Sequence, residues 1–434
     1  GFMARVTDDL TQAITFAQQA LTLLTSPEDQ FLQAIVLINT LFCYYHLGDQ
    51  TAVETTLHTL QQTGWLAEDS HIITLVMGIE ADLHISQGRL VPAYKRLQEI
   101  LVHKTTYGGY ELANTGSIYA GLSHIHYHWN ELDKARHYVQ EALILGEAAD
   151  NGDILLPAYQ MDLTLRGLNK DQTGIQQTET KLQQVAQQTG FPDVQQQIEL
   201  MLALSALRQN KLGPASEWAE KSGIQLTDQP NMAQVVRYVA WVKIQFTRYC
   251  QQLPSPSLAE LTAFLTAMTE TAVFRQRPNL YLLLLLAQLF WEQKQTDQAR
   301  ETLEKALTRG QVGNYIRLFV NEGAAVLSML QAFSFESIDA AYSDRLLAAF
   351  AKETEPTVSP STPTSAEQPL VESLSDREMS VLRLIASGLS NQAIADTLVI
   401  SPHTVRSHIK NINSKLGAQS RTQAIARGHE LNLL

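Results

Sequence analysis

The chain has 434 residues, a formal net charge of −12 and two cysteines. Its length implies two to four domains, and its acidic balance excludes a body that holds nucleic acid over most of its surface, because that surface repels phosphate. Two cysteines exclude a disulfide scaffold, no apolar run reaches the ~20 residues that cross a bilayer, and the N-terminus lacks a basic stretch followed by an apolar one; the expectation is a cytoplasmic protein with Cys43 and Cys250 reduced and buried.

From residue 1 to about 352 the pattern reads as helix after helix. Asp8 to Leu24 reads as the second helix of a pair whose first helix is missing. Helix pairs then recur with a period of roughly 40 residues, the signature of a helical solenoid. Gly88-Arg89-Leu90-Val91-Pro92-Ala93, Asn130-Glu131-Leu132-Asp133-Lys134-Ala135, Lys211-Leu212-Gly213-Pro214-Ala215 and Gln295-Thr296-Asp297-Gln298-Ala299 share a polar turn, then a small residue, then an amphipathic helix. Ala93, Ala135, Ala215 and Ala299 are small where two helices must approach closely, while Tyr119, Leu122, Leu289 and Phe290 fill the partner helices. Tyr281 to Trp291 is apolar enough for a fully buried helix. His124 and His128 stand four apart, a spacing that a zinc pair uses, but no third ligand is obvious nearby and packed or surface histidines are expected. Tyr127, Trp129, Tyr159, Arg237, Tyr238 and Trp241 are candidates for the concave face, each read as inter-helix core instead.

Residues 353–372 break the pattern. Glu355 to Ser365 is rich in Pro, Ser and Thr, cannot build a core, and reads as a linker. From Glu372 onward seven Lys/Arg stand against five Asp/Glu, a net of +2, which leaves −14 for the rest. Four helices fit into 373–434. Ser375 with Glu378 forms a capping box, and Gly388 stops that first helix. Ser390 caps the second helix. Ser401 caps the third, with Pro402 at its first position, and Gly417 ends it. Ser420 with Gln423 opens the fourth. In the third helix Val405, Ile409, Ile412 and Leu416 share one stripe. His403, Arg406, Ser407, Lys410 and Ser414 face the other way, flanked by Thr404 and Asn411. A face of short donors and two cations, without a carboxylate, suits a DNA major groove, and the short link before it fits a helix-turn-helix.

These residues carry a resemblance. Leu374 to about Arg427 resembles the LuxR-type helix-turn-helix domain of bacterial transcription regulators, through Arg377-Glu378, Val381-Leu382, Gly388, Ser390-Asn391, Ile394-Ala395, Ile400-Ser401, Thr404-Val405, His408-Ile409, Asn411-Ile412, Lys415-Leu416 and Arg421. The resemblance implies base contacts at Arg406, Ser407 and Lys410, phosphate or packing positions at Thr404, His408 and Lys415, and pairing of two domains through the last helix. Ser380 and Ala393 stand where the family often has glutamate. Leu283 to Leu307 resembles a tetratricopeptide unit, and Asn314 to Gly323 is similar to a segment that precedes the DNA-binding domain in the MalT-like group of large ATP-binding regulators. That group begins with a nucleotide-binding module, yet no Gly-x-x-x-x-Gly-Lys-Ser/Thr run occurs here; either the chain is a C-terminal fragment or the module was lost.

The expected architecture is all-α: a tetratricopeptide-like solenoid (1–352), a linker (353–372) and a four-helix domain (373–434). The expected function is operator binding by a homodimer, controlled by a small-molecule or protein inducer on the repeats. No catalytic residue, cofactor, metal or membrane contact is expected; Ser407 to Lys410 matches a Ser-x-x-Lys pattern without its companion motifs. The competing readings are a protein-interaction scaffold with a vestigial DNA-binding domain, and a switch driven by an ATPase half outside the chain.

Overall fold

The computed structural model describes residues 10–433 apart from 48, 63–76, 79, 86, 103–114, 190–191, 229–234, 272–279, 355–373, 387–388, 390, 399, 417, 419–420 and 431–432. Every regular element among the described residues is a helix. Two compact units result, one made by the described residues of 10–102 and 116–354 and the other by those of 374–433.

The first unit opens with α1 (Leu10–Leu23), α2 (Gln30–Leu47) and α3 (Gln50–Gln62). After a helical stretch at 80–85 come α4 (Leu90–Val102), α5 (Thr115–His128), α6 (Leu132–Ala149), α7 (Gly152–Leu168), α8 (Gln172–Gln188), α9 (Pro192–Arg208) and α10 (Leu212–Lys221). It ends with α11 (Val235–Cys250), α12 (Leu258–Glu270), α13 (Leu280–Glu292), α14 (Thr296–Gly313), α15 (Arg317–Val320), α16 (Ala324–Ala332) and α17 (Ala340–Thr354).

One turn geometry generates the array. Gly88, Asn130, Lys170, Asn210, Gln252 and Lys294 all adopt left-handed backbone, with φ between +55° and +73°, at intervals of 40 to 42 residues. At each turn the left-handed residue donates to the carbonyl three back, and the next residue donates to the carbonyl five back. At the second turn these are Asn130 N to Tyr127 O and Glu131 N to His126 O, both 2.9 Å. The two bonds satisfy carbonyls that a helix end leaves open. Only the first of the six positions is glycine; the other five carry a Cβ in a conformation that costs about 1–2 kcal/mol.

Five residues beyond four of these turns, Ala93, Ala135, Ala215 and Ala299 are fully buried, which is the close approach their size predicts. Two turns lack that alanine. After Lys170 the small residue is Gly174, where a Cβ would lie 1.8 Å from Arg166 Nη1 and 2.1 Å from Asp171 Oδ2. The guanidinium is fixed there between Asp162 and Asp171, each at 2.7 Å. After Gln252 the turn is longer, and Ser257 caps α12 in a capping box with Glu260.

Two expectations are corrected. Cys250 is exposed, because α11 runs on past its last buried residue, Gln245; Cys43 is buried, and both are free thiols. Helix α13 is buried from Leu282 to Leu289, but Tyr281 is 45% exposed and Phe290 and Trp291 are only partly covered. The histidines of α5 are engaged in packing: His126 Nδ1 lies 2.6 Å from Glu131, and the His128 ring sits 4.5 Å from His124 and 4.8 Å from Tyr315. Tyr127, Tyr159, Tyr238 and Trp241 are core residues.

In an open solenoid each repeat touches its neighbours alone. Here α4 and α5 share one apolar core with α13, α14 and the helices up to α17. Polar bonds follow the same path. Trp129 Nε1 donates to Gly313 O at 3.0 Å, Ile316 N to His128 O at 2.7 Å, and Asn321 Nδ2 to Tyr127 Oη at 2.7 Å. Arg317, 3% exposed, reaches Asn130, Asn321 and Glu353. Lys243 and Gln288 hold Glu322 at 2.7 and 2.9 Å. The segment Gly313–Glu322 is thus a strap that ties the last repeats of this unit to the turn at Asn130.

Candidate nucleic-acid interface

The second unit contains α18 (Asp376–Ala386), α19 (Asn391–Leu398), α20 (Pro402–Lys415) and α21 (Arg421–Glu430). Ser375 N donates to Glu378 Oε2 at 2.8 Å and Glu378 N donates to Ser375 Oγ at 3.3 Å, so the capping box forms at the head of α18. At the head of α20, Thr404 N donates to Ser401 Oγ at 3.0 Å, with Pro402 at the position where a missing N–H costs nothing. The expected stops at Gly388 and Gly417 and the caps at Ser390 and Ser420 lie outside the described residues, as does nearly all of the linker.

Val381, Leu382 and Ile385 of α18, Ile394 and Ala395 of α19, Val405, Ile412 and Leu416 of α20, and Ala424 of α21 form one buried cluster, with Ile409 packed against its edge. The apolar stripe of α20 therefore seats that helix on its three neighbours. Lys410 and Asn411 are exposed and Ser407 is half-buried. No acidic residue occurs anywhere in α20. His403 and Arg406 lie on the same helix; their side chains fall outside the described residues.

Three candidate residues sit elsewhere. Thr404 and His408 are buried, at 3% and 7% exposure, and the Thr404 hydroxyl lies 2.8 Å from Ser401 Oγ. Lys415 donates to Glu378 Oε2 at 2.7 Å. Burial pushes the Glu378 carboxyl up, but donors from Lys415 and Ser375 outweigh it and hold the group below its ordinary value. No local pattern in the sequence announces this pair, nor the bond from Arg377 Nη2 to Leu398 O at 2.7 Å. Adjacency of Arg377 and Glu378 was visible; their partners, 21 and 37 residues away, were not.

Among the described residues no group of three or more His, Cys, Asp or Glu could hold a metal ion, and no helix is long and apolar enough to cross a membrane.

Comparison with known proteins follows the same division. The family described as the MalT-like TPR region matches residues 1–335, and that described as bacterial regulatory proteins, luxR family, matches 372–427. The HTH-type transcriptional regulator MalT of Klebsiella pneumoniae is 32% identical over an alignment covering 34% of this chain and 18% of that protein. Response regulator protein VraR of Staphylococcus aureus is 49% identical over 15% of this chain and 31% of its own length. The chain therefore spans less than a third of either relative.

Proposed function

The chain belongs to the family of the MalT-like TPR region and carries a luxR-family regulatory domain near its C-terminal end, and from this we propose that it is a transcription regulator that binds operator DNA through α20. Ser407, Lys410 and Asn411, with His403 and Arg406 beside them in sequence, read the major groove. Two copies act together on half-sites about one helical turn apart, ~34 Å. The repeat unit, 1–352, receives a small-molecule or protein inducer, and 353–372 tethers it to the DNA-binding domain, 373–434. The protein works in the cytoplasm and performs no catalysis of its own within this chain. The relatives' names, a transcriptional regulator and a response regulator, support the assignment.

One observation carries it: α20 keeps its apolar stripe in the core and offers Lys410, Asn411 and Ser407 outward, with no carboxylate along its length. Such a helix meets acceptor-rich base edges and phosphates without a repulsive partner. The test is selection of duplexes from a random pool by the whole chain, then fluorescence anisotropy on the enriched site. Arg406→Ala should lose roughly 1–3 kcal/mol on that site. Failure to enrich any duplex, with or without candidate inducers, would favour the scaffold reading instead.

A further inference from the structure

The apolar stripe of α20 fixes which side of the helix faces the core, but dispersion contacts are non-directional and leave a short helix free to slide and rock slightly. Directional ties must set its final position. Among the described residues, two such ties reach the ends of α19 and α20, and both start from the first turn of α18. Arg377 donates to the carbonyl of Leu398, the last residue of α19. Glu378 accepts from Lys415, the last residue of α20. Neighbouring residues on a helix point about 100° apart, so this one turn reaches the ends of both helices at once. Glu378 is itself anchored, since the oxygen that takes Lys415 also takes the Ser375 backbone N–H at 2.8 Å. The carboxylate is 4% exposed as a residue and its bond to Lys415 is charge-assisted on both sides, hence short and strong.

We propose that Arg377, Glu378 and Lys415 form a bracket that sets the angle between α19 and α20, and that Lys415 positions the reading helix and makes no phosphate contact. The assignment rests on the DNA-binding reading above. Of the two roles expected for Lys415, phosphate contact or packing, it takes the second, because its ammonium is already occupied at 2.7 Å by a buried carboxylate. A bracket of this kind acts on discrimination: a small tilt of α20 misplaces Ser407 and Lys410 against base edges while the general attraction to phosphate survives.

The experiment uses the full chain, the duplex enriched by the wild type, a scrambled duplex of equal length, and a titration of salt. Lys415→Gln, Glu378→Gln, the double variant and Lys415→Arg are compared well below each variant's melting temperature. Lys415→Gln and Glu378→Gln should each lower the ratio of enriched-to-scrambled affinity by at least about fivefold, the worth of one lost base contact. The double variant should be no worse than either single change, Lys415→Arg should restore the ratio, and the slope of log affinity against log salt should stay at the wild-type value. A slope smaller by ~0.9 in Lys415→Gln, with equal losses on both duplexes, marks a phosphate contact and overturns the proposal. An unchanged ratio alongside a lower melting temperature reduces the bracket to a stability device and overturns it as well. If Lys415→Gln does not fold, Glu378→Gln against wild type carries the same decision, since it leaves the Lys415 charge in place. A wild-type chain that enriches no duplex removes the DNA reading itself, an outcome visible before any variant is made.

Discussion

Gly313 is the position where a single methyl group should do the most damage to the strap. A Cβ built there lies 2.3 Å from the carbonyl oxygen of Gly88 and 2.5 Å from the Tyr315 ring. Carbon and oxygen approach comfortably only at ~3.3 Å, so the two backbones must part by about 1 Å. Gly88 is poorly placed to yield, because its own N–H and that of Arg89 are engaged in the turn at 2.9 and 2.8 Å. Separation also strains the bond from Trp129 Nε1 to Gly313 O. Overpacking costs roughly 1–3 kcal/mol and a lost hydrogen bond about 1 kcal/mol more, which places Gly313→Ala near 2–4 kcal/mol of local destabilisation. The reporter is hydrogen exchange at the Ile316 amide, which donates to His128 O across the closure, with urea unfolding followed by circular dichroism alongside. Because repeat arrays need not unfold in one step, the amide is the sharper gauge. An Ile316 amide as protected in Gly313→Ala as in wild type would refute the argument. Gly213→Ala is the matched control: it has nothing within 4 Å and should be neutral or stabilising by up to ~1 kcal/mol.

Two further outcomes follow from the same geometry. Lys294→Gly should raise the urea midpoint, since it relieves a left-handed Cβ at φ +61° worth ~1–2 kcal/mol against a glycine entropy cost of ~0.5–1 kcal/mol; a lower midpoint would show that the lysine side chain contributes something beyond the turn. Glu378, held below its ordinary value of 4.5, contributes stability that is present above pH 4.5 and is lost as pH falls through its folded pKa; the gap in unfolding midpoint between wild type and Glu378→Gln should therefore narrow as acid is added, and a gap constant from pH 7 to pH 3 would contradict the linkage.

Local chemistry was largely legible in the sequence. Ser375 with Glu378, and Ser401 with Pro402, mark helix starts because a cap is settled within three or four residues. The alanines after four turns marked the period, because a small side chain that recurs at one position of a repeat signals close approach of two helices. Legibility failed where the signal was not local. The turns at Lys170 and Gln252 lack the alanine, and nothing in a lysine or a glutamine announces a left-handed backbone. His408 falls three residues after Val405 and four before Ile412, on the flank of the buried stripe, but its polar ring argued for an outward position just as well. Residue type left Thr404, His408 and Lys415 open between phosphate contact and packing, and in the structure two are buried and the third is held by Glu378. The exposure of Cys250 and the bonds from the Asn130 turn to the strap, 184 to 194 residues apart, depend on which helices meet, and no short window of sequence encodes that.

The strap also constrains how this gene could change. A tandem array that is open at both ends can gain or shed a whole unit and still satisfy its members, since each asks only for a neighbour. Here Gly313, Ile316 and Asn321 must arrive opposite Trp129, His128 and Tyr127. Duplication or deletion of one segment of about 40 residues between those points would deliver the strap to empty space or the wrong turn. The copy number between residues 130 and 313 is thereby locked, as the number of links is in a clasped bracelet, and the turn at Gly88, against which Gly313 packs, is held by the same clasp.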